Sequence, residues 1–150
     1  MIKKIVSIVC LAITVLLVSC GRNGSALKDG YYSAEAAAFD EYGWKEYIAI
    51  RVSGGRIILV DYNAFNPSGF IKSWDMDYMR EMNATDGTYP NAYTRHYARL
   101  FLEYQGIEGI DALSGASHSY PVFSALARAV LKNAREGNSK TALVHLEEAL

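Results

Sequence analysis

Hydrophobic positions run at strand period in the first half of the chain and at helix period in the second. Between Trp44 and Val52, Ile48, Ile50 and Val52 fall on one face, with Ala49 and Arg51 on the other. Tyr31 to Phe39 and Arg56 to Phe65 read as companion strands. Ser53-Gly54-Gly55 between the second and third is a tight-hairpin signal, and Asp40-Glu41-Tyr42-Gly43 joins the first and second. The pattern predicts a three-stranded antiparallel meander. Asn66-Pro67-Ser68-Gly69 then breaks the chain.

Past that break the period lengthens. Trp74 to Met82 reads as a short helix and Ala84 to Pro90 as a loop. Asn91 to Tyr104 places Tyr93, Tyr97, Leu100, Phe101 and Tyr104 at helical spacing, with Gly106 as the stop. Gly106 to Ser119 is a small-residue loop with room for a brief strand near Ile110. Pro121 to Arg135 carries the apolar stripe Val122, Phe123, Leu126, Val130 and Ala134, and Gly137 ends it. Ser139 to Leu150 is expected as a terminal helix. The class is α+β: an antiparallel sheet packed with two amphipathic helices.

The first 20 residues obey different rules. Lys3 and Lys4 precede an apolar run from Ile5 to Val18, broken only by Ser7 and Thr14, and Leu17-Val18-Ser19-Cys20 closes it. A basic start, a short apolar run and small residues at its end describe a secretory signal. Those 14 residues fall short of the roughly 20 that span a bilayer, and Gly21 to Ser25 add only polar ones. The L-V-S-C ending resembles the lipobox of bacterial lipoproteins. That resemblance implies cleavage after residue 19, lipid on the Cys20 thiol, and anchorage to the outer face of the cell membrane or to the outer membrane. Residues 20–28 are then the lipidated cysteine with its polar tether, and residues 29–150 the domain, ending in a helical tail.

Composition narrows the chemistry. The two cysteines are Cys10, which leaves with the signal, and Cys20, which the lipid consumes. No thiol is left for a disulfide, a thiolate metal site or a nucleophile. About 130 residues remain, enough for one domain with its own core. Loss of Lys3 and Lys4 leaves 13 basic against 16 acidic side chains, which argues against nucleic acid as a partner. His96 and His145 show no metal spacing, and Asp75 and Asp77 do not form a calcium loop.

The most informative segment is Asp111-Ala112-Leu113-Ser114-Gly115-Ala116-Ser117-His118-Ser119, which runs into Pro121. Three hydroxyls and a glycine stand ahead of a helix start, where free N–H groups and the positive dipole end favour phosphate. Helix capping by Ser117 or Ser119 is the plainer account of the same residues.

D-A-L-S-G-A-S-H-S resembles the flavinylation motif of FMN-binding domains, D-x-x-[S/T]-G-A-T-x-[S/T]. Such domains occur in flavin subunits of the Rnf and sodium-translocating NADH:quinone reductase complexes and in small extracellular lipoproteins. The resemblance implies FMN held covalently by a phosphoester on the last hydroxyl, Ser119, made by a separate flavin transferase. Asp111, Ser114, Gly115 and Ala116 match their positions, and Ser117 replaces the usual threonine. Asp29-Gly30-Tyr31-Tyr32 is similar to the D-G-x-Y opening of these domains, and Trp44 with the hairpin into Gly55-Arg56-Ile57 fits their strand pair. Asp40 to Tyr47 (D-E-Y-G-W-K-E-Y), Lys72-Ser73, Asp77-Tyr78 and Met82 resemble the small lipoproteins called major membrane immunogens. The similarity covers residues 29 to 136.

The function so implied is electron transfer by an anchored flavoprotein, between a membrane donor and an exported acceptor, more a carrier than an enzyme with its own substrate. Trp44, Tyr78, Tyr89 and Tyr120 are candidates to pack on the flavin ring, or simply on their neighbours. His118 is a candidate contact to phosphate or flavin, or an exposed loop residue. The alternative is a surface lipoprotein that uses the fold without flavin, as a binding module or antigen.

Overall fold

The structure, a computed structural model, describes residues 26–146. The signal, Cys10, Cys20 and most of the tether lie outside the described residues. Strands β1 (Gly30–Ala36), β2 (Lys45–Ser53) and β3 (Arg56–Phe65) form the expected meander. Gly54 and Gly55 both adopt positive φ, 60° and 72°, which a two-residue turn between twisted strands requires. A bulge opposite Arg51 and Val52 shifts the register of β3 by one residue.

Three helices follow: α1 (Met76–Asp86), α2 (Pro90–Tyr104) and α3 (Ser119–Glu136). A single 3-10 turn over Lys72–Trp74 precedes α1. Helix α1 runs four residues beyond the expected Met82, because its left-handed cap is Gly87. Helix α2 begins on Pro90, whose missing N–H is no loss in a first turn. It stops at Gln105 and not at Gly106: Gln105 takes φ 59°. Its side-chain amide holds that conformation, accepting from Ile57 N at 2.8 Å and donating to Ile57 O at 2.9 Å.

Two sequence expectations fail. The stretch near Ile110 forms no strand. The terminal helix over Ser139 to Leu150 is replaced, within the described residues, by strand β4 (Ala142–Val144). It pairs parallel with β1, and the sheet order is β3-β2-β1-β4. Gly137 stops α3, and Asn133 Nδ2 donates to Lys140 O at 2.8 Å, so the chain turns back to the open edge of β1. The four-stranded, mostly antiparallel sheet with its helices is an α+β fold.

Helices α2 and α3 cover the inner face of the sheet. Their apolar stripes need a partner, and alternate residues of β1, β2 and β3 supply one. Phe123 is the centre of this core. It stacks on Tyr97 at 4.9 Å and 14°, and meets Tyr62 at 5.0 Å and Phe101 at 5.9 Å. Leu126, Val130 and Ala134 are buried as expected, whereas Leu100 is only half-buried and Tyr104 is exposed. Helix α1 differs from the other two in contributing no buried side chain.

Candidate functional site

The loop that holds the D-A-L-S-G-A-S-H-S segment is shaped from inside by tyrosine hydroxyls. Tyr97, buried in α2, accepts from Leu113 N at 2.9 Å and lies 3.4 Å from Ala116 O, to which it donates. Ala116 N donates to Leu113 O at 2.9 Å, and Ser119 N to Ala116 O at 3.2 Å. Tyr120 donates to Ile110 O at 2.6 Å. The small residues have a steric reason as well. Gly115 has φ 77°, and a Cβ there would stand 2.2 Å from Asp86 O at the end of α1. Ala116 is buried beneath it.

This arrangement sorts the three hydroxyls. Ser114 and Ser117 are exposed, as are Asp111 and His118. Ser119 is 9% exposed and is the first residue of the 18-residue α3. Neither Ser117 nor Ser119 caps that helix: the cap position is His118, with no side-chain cap bond. The capping account therefore does not explain either hydroxyl. Ser119 is instead a buried residue at the helix start, with its carbonyl 3.3 Å from the Tyr62 hydroxyl.

Behind Ser119 lies a cluster of polar groups to which the sequence alone assigns no role at the site. Tyr62 donates to the Glu46 carboxylate, and its hydroxyl lies 3.3 Å from Ser119 O. Burial, more than the nearby Glu46 charge, drives the Tyr62 and Tyr93 hydroxyls well above the ordinary phenol range. Lys72 is 7% exposed. Burial lowers its pKa, while Glu46 and Asp40 oppose the shift. Trp44 and Tyr78 meet at 6.3 Å beside it. Of the four aromatic candidates, these two come together. Tyr120 is engaged in holding the loop, and Tyr89 stands exposed at the start of α2. One sequence signal does reveal part of the cluster. Glu46 has the same parity in β2 as Ile48, Ile50 and Val52, so a charge occupies a core-face position.

The Glu46 carboxyl is raised to about 7. Burial is the main cause and Asp40 adds to it, while the Tyr62 hydrogen bond and the Lys72 charge pull the other way. The folded carboxyl thus keeps its proton up to about pH 7, where the unfolded chain has lost it near 4.5. Between those values unfolding releases a proton, so stability falls as pH rises through the window and levels off above it. Glu46→Gln, which keeps an acceptor for Tyr62, should remove that slope. The stability difference between the two proteins should change by roughly 2–3 kcal/mol from pH 4.5 to 8, read by urea unfolding at each pH. Parallel curves would show that Glu46 does not titrate in this way.

The D-G-x-Y opening is not part of the site. Asp29 accepts from Gly54 N at 3.0 Å and Gly55 N at 2.9 Å, which ties the hairpin turn to the start of β1 and lowers the Asp29 pKa. Tyr32 donates to Lys28 O at 2.9 Å, and Lys28 N to Ala134 O at 2.9 Å, fastening the end of the tether to α3. Among the described residues no helix is long and apolar enough to cross a membrane.

No protein-family model matches the chain. It is 36% identical over 140 residues to the 15 kDa lipoprotein of Treponema pallidum (strain Nichols), covering 93% of this chain and 96% of that protein. In structure it is similar to the CPE2226 protein of Clostridium perfringens, with a TM-score of 0.76, 38% identity, and coverage of 79% of this chain and 98% of that one. A Clostridium thermocellum protein solved by NMR matches with a TM-score of 0.51, 30% identity, and coverage of 72% and 92%.

Proposed function

The chain belongs to the family of the Treponema pallidum 15 kDa lipoprotein, and we propose that it works as a lipid-anchored envelope protein carrying FMN as a phosphoester on Ser119. One observation carries this reading. The D-A-L-S-G-A-S-H-S segment delivers a hydroxyl to the first turn of a long helix, and that hydroxyl does not cap the helix. Its residue is instead buried, with the Ser119 carbonyl 3.3 Å from the Tyr62 hydroxyl that also bonds Glu46.

The residues fit such a group. Ser119 supplies the attachment oxygen, and in the first turn of α3 the Tyr120 N–H is left for a phosphate oxygen, since Ser119 N is bonded to Ala116 O and Pro121 has no N–H. Gly115 and Ala116 keep the loop low against α1. Asp111, exposed on the loop, is free to be recognised by a flavin transferase and would not touch phosphate, since like charges repel. Bound FMN supplies the electron transfer; the protein supplies its position and tuning. Ser119 is buried in the described arrangement, so loading requires its surroundings to open. Helix α1, with no buried side chain, is the element that moves most cheaply. A covalent cofactor suits an exported protein, because a released flavin would be diluted away.

Residues 1–19 act as the signal and Cys20 carries the lipid, both outside the described residues. Two acyl chains or more give stable anchoring, where one gives only marginal binding. The redox partners would be a membrane donor and an exported acceptor. The test is intact mass on the full-length lipoprotein coexpressed with a flavin transferase. The expected product carries lipid and one FMN. Cys20→Ser should leave an unprocessed precursor that takes no labelled fatty acid; equal labelling would sink the lipid assignment.

The burial of Ser119 favours one second reading, in which the fold serves as a binding module or antigen without flavin. A wild-type chain that stays unflavinylated, beside a related domain modified by the same transferase, would decide for it.

A further inference from the structure

The chain enters the domain beside the β2–β3 turn. Leu27 packs against the core, and its carbonyl lies against Gly55. Lys28 N donates to Ala134 O and Lys28 Nζ to Glu136 O, each at 2.9 Å, so the end of the tether is fixed there. Ala26 follows Cys20 by six residues, which even fully extended reach only about 20 Å. A lipid on Cys20 therefore keeps this end of the sheet next to the bilayer. The same end carries an exposed patch. The register sets Tyr31, Arg51 and Leu59 side by side on the outer face of the sheet, away from α2 and α3. The Arg51 guanidinium stands 5.4 Å from the Tyr31 ring centroid. The bulge opposite Arg51 and Val52 enlarges the patch. With Ile57 buried, Ile58 and Leu59 are 48% and 49% exposed, beside Tyr31 at 67%. Plain alternation would have turned one of those two neighbours inward. Arg51 and Arg56 are both exposed, and among the described residues neither forms a salt bridge.

We propose that Tyr31, Arg51, Arg56, Ile58 and Leu59 dock the domain on the anionic lipid surface in which its own anchor sits. This docking rests on the lipid at Cys20 given above and does not depend on flavin. Ile58 and Leu59 would enter the headgroup region, and Tyr31 suits an interface, with an apolar ring and a wet hydroxyl. Arg51 and Arg56 would meet lipid phosphates, their stems lying along the apolar residues. A single exposed apolar residue needs no explanation. Here three stand together with two cations, at the end that the tether holds to a bilayer. Charge is graded along the same face. Asp61 lies one row further from the turn, opposite Ala49, and Glu35 two rows further, opposite Tyr47. Anionic headgroups therefore favour the hairpin end over the rest of the sheet. A second copy of the chain fits less well, because a two-fold contact would bring Arg51 and Arg56 towards their own copies. The docked orientation has a consequence for the motif loop. Helix α3 runs from Ser119 to the tether contact at Ala134, roughly 20 Å at 1.5 Å per residue. A domain seated on its hairpin end holds the loop away from the lipid.

The test uses the full lipoprotein, its lipid checked by intact mass, in phosphatidylcholine vesicles with and without phosphatidylglycerol. Cys10 leaves with the signal and Cys20 carries the lipid, so one introduced cysteine is the only free thiol. Ser53→Cys at the hairpin and Glu41→Cys in the loop at the other end of β2 are each labelled with a fluorophore; both positions are exposed. Headgroup spin-labelled lipid should quench the probe at position 53 several-fold more than the probe at 41, and the difference should shrink without phosphatidylglycerol. Arg51→Gln with Arg56→Gln should weaken the difference, and Ile58→Ser with Leu59→Ser should abolish it, with the urea midpoint reporting that each variant is folded. Equal quenching at the two positions in lipidated protein would overturn the docking and leave the lipid on Cys20 standing. Cross-linking of two copies through position 53, without quenching by lipid, would overturn it in favour of a second copy. An intact mass without lipid would overturn the anchor, and the docking with it.

Discussion

Ser119→Ala, coexpressed with a flavin transferase, should carry no covalent flavin, while Ser117→Ala should still carry it at lower yield. The two serines are two residues apart but in different surroundings. Ser117 is open to solvent on the loop, and Ser119 is buried as the first residue of α3. Removing the Ser119 oxygen removes the attachment atom, so the effect is complete and not graded. It will not act through unfolding. Losing one hydroxyl there changes stability by about 1 kcal/mol at most, and Tyr97 and Phe123 keep the core packed. Ser117→Ala leaves the attachment atom and alters only the surface that the transferase reads. Ser119→Thr keeps a hydroxyl and should keep flavin. The measurements are in-gel flavin fluorescence and peptide mass mapping. Flavin mapped to Ser117 would overturn the residue assignment while sparing the carrier reading. A wild type without flavin, under a transferase that modifies a related domain, would move the function to the binding module.

How much of this was legible in the sequence differs between elements for physical reasons. The meander could be read because its information is local: period-two alternation in Ile48, Ile50 and Val52, and a Gly54-Gly55 turn. Helix α3 could be read from its stripe and Gly137 stop. Strand β4 could not. Its segment lies among Ala, Leu and Glu residues that favour helix, and what makes it a strand is the free edge of β1, more than a hundred residues away. Gln105 likewise reads as an ordinary helical residue; its left-handed conformation depends on the Ile57 backbone. The candidate site divides in the same way. Ser114, Gly115, Ala116, Ser117 and Ser119 stand in one motif and were visible at once. Glu46, Tyr62, Lys72 and Tyr93 come from four separate segments, and only Glu46 announces itself, by its parity. The stretches singled out around Trp44, Lys72 and Tyr78 meet in space for reasons that no spacing in the sequence expresses.

Phe123→Ala should lower the unfolding free energy by roughly 3–5 kcal/mol, the range for emptying a buried aromatic site. Phe123 is fully buried and is the one ring that touches Tyr62 of the sheet and both Tyr97 and Phe101 of α2. Its loss therefore opens a cavity at the junction of three elements, where no single neighbour can relax to fill it. Those neighbours also hold the loop and the polar cluster: Tyr97 bonds Leu113 and Ala116, and Tyr62 bonds Glu46. Against a total stability of about 5–15 kcal/mol, the change would remove a large part of the margin. Urea unfolding should show the midpoint falling by roughly 2 M with an unchanged slope. Phe123→Leu keeps apolar volume but not the ring contacts and should lose less. Tyr104, expected in the same kind of stripe but exposed in the structure, is the control: Tyr104→Ala should stay within about 0.5 kcal/mol of wild type. A loss well under 1 kcal/mol at Phe123, or an equal loss at Tyr104, would mean that the buried face of the helical layer is not the one described. The placement of Tyr97, Tyr62 and the motif loop behind it would fall with it.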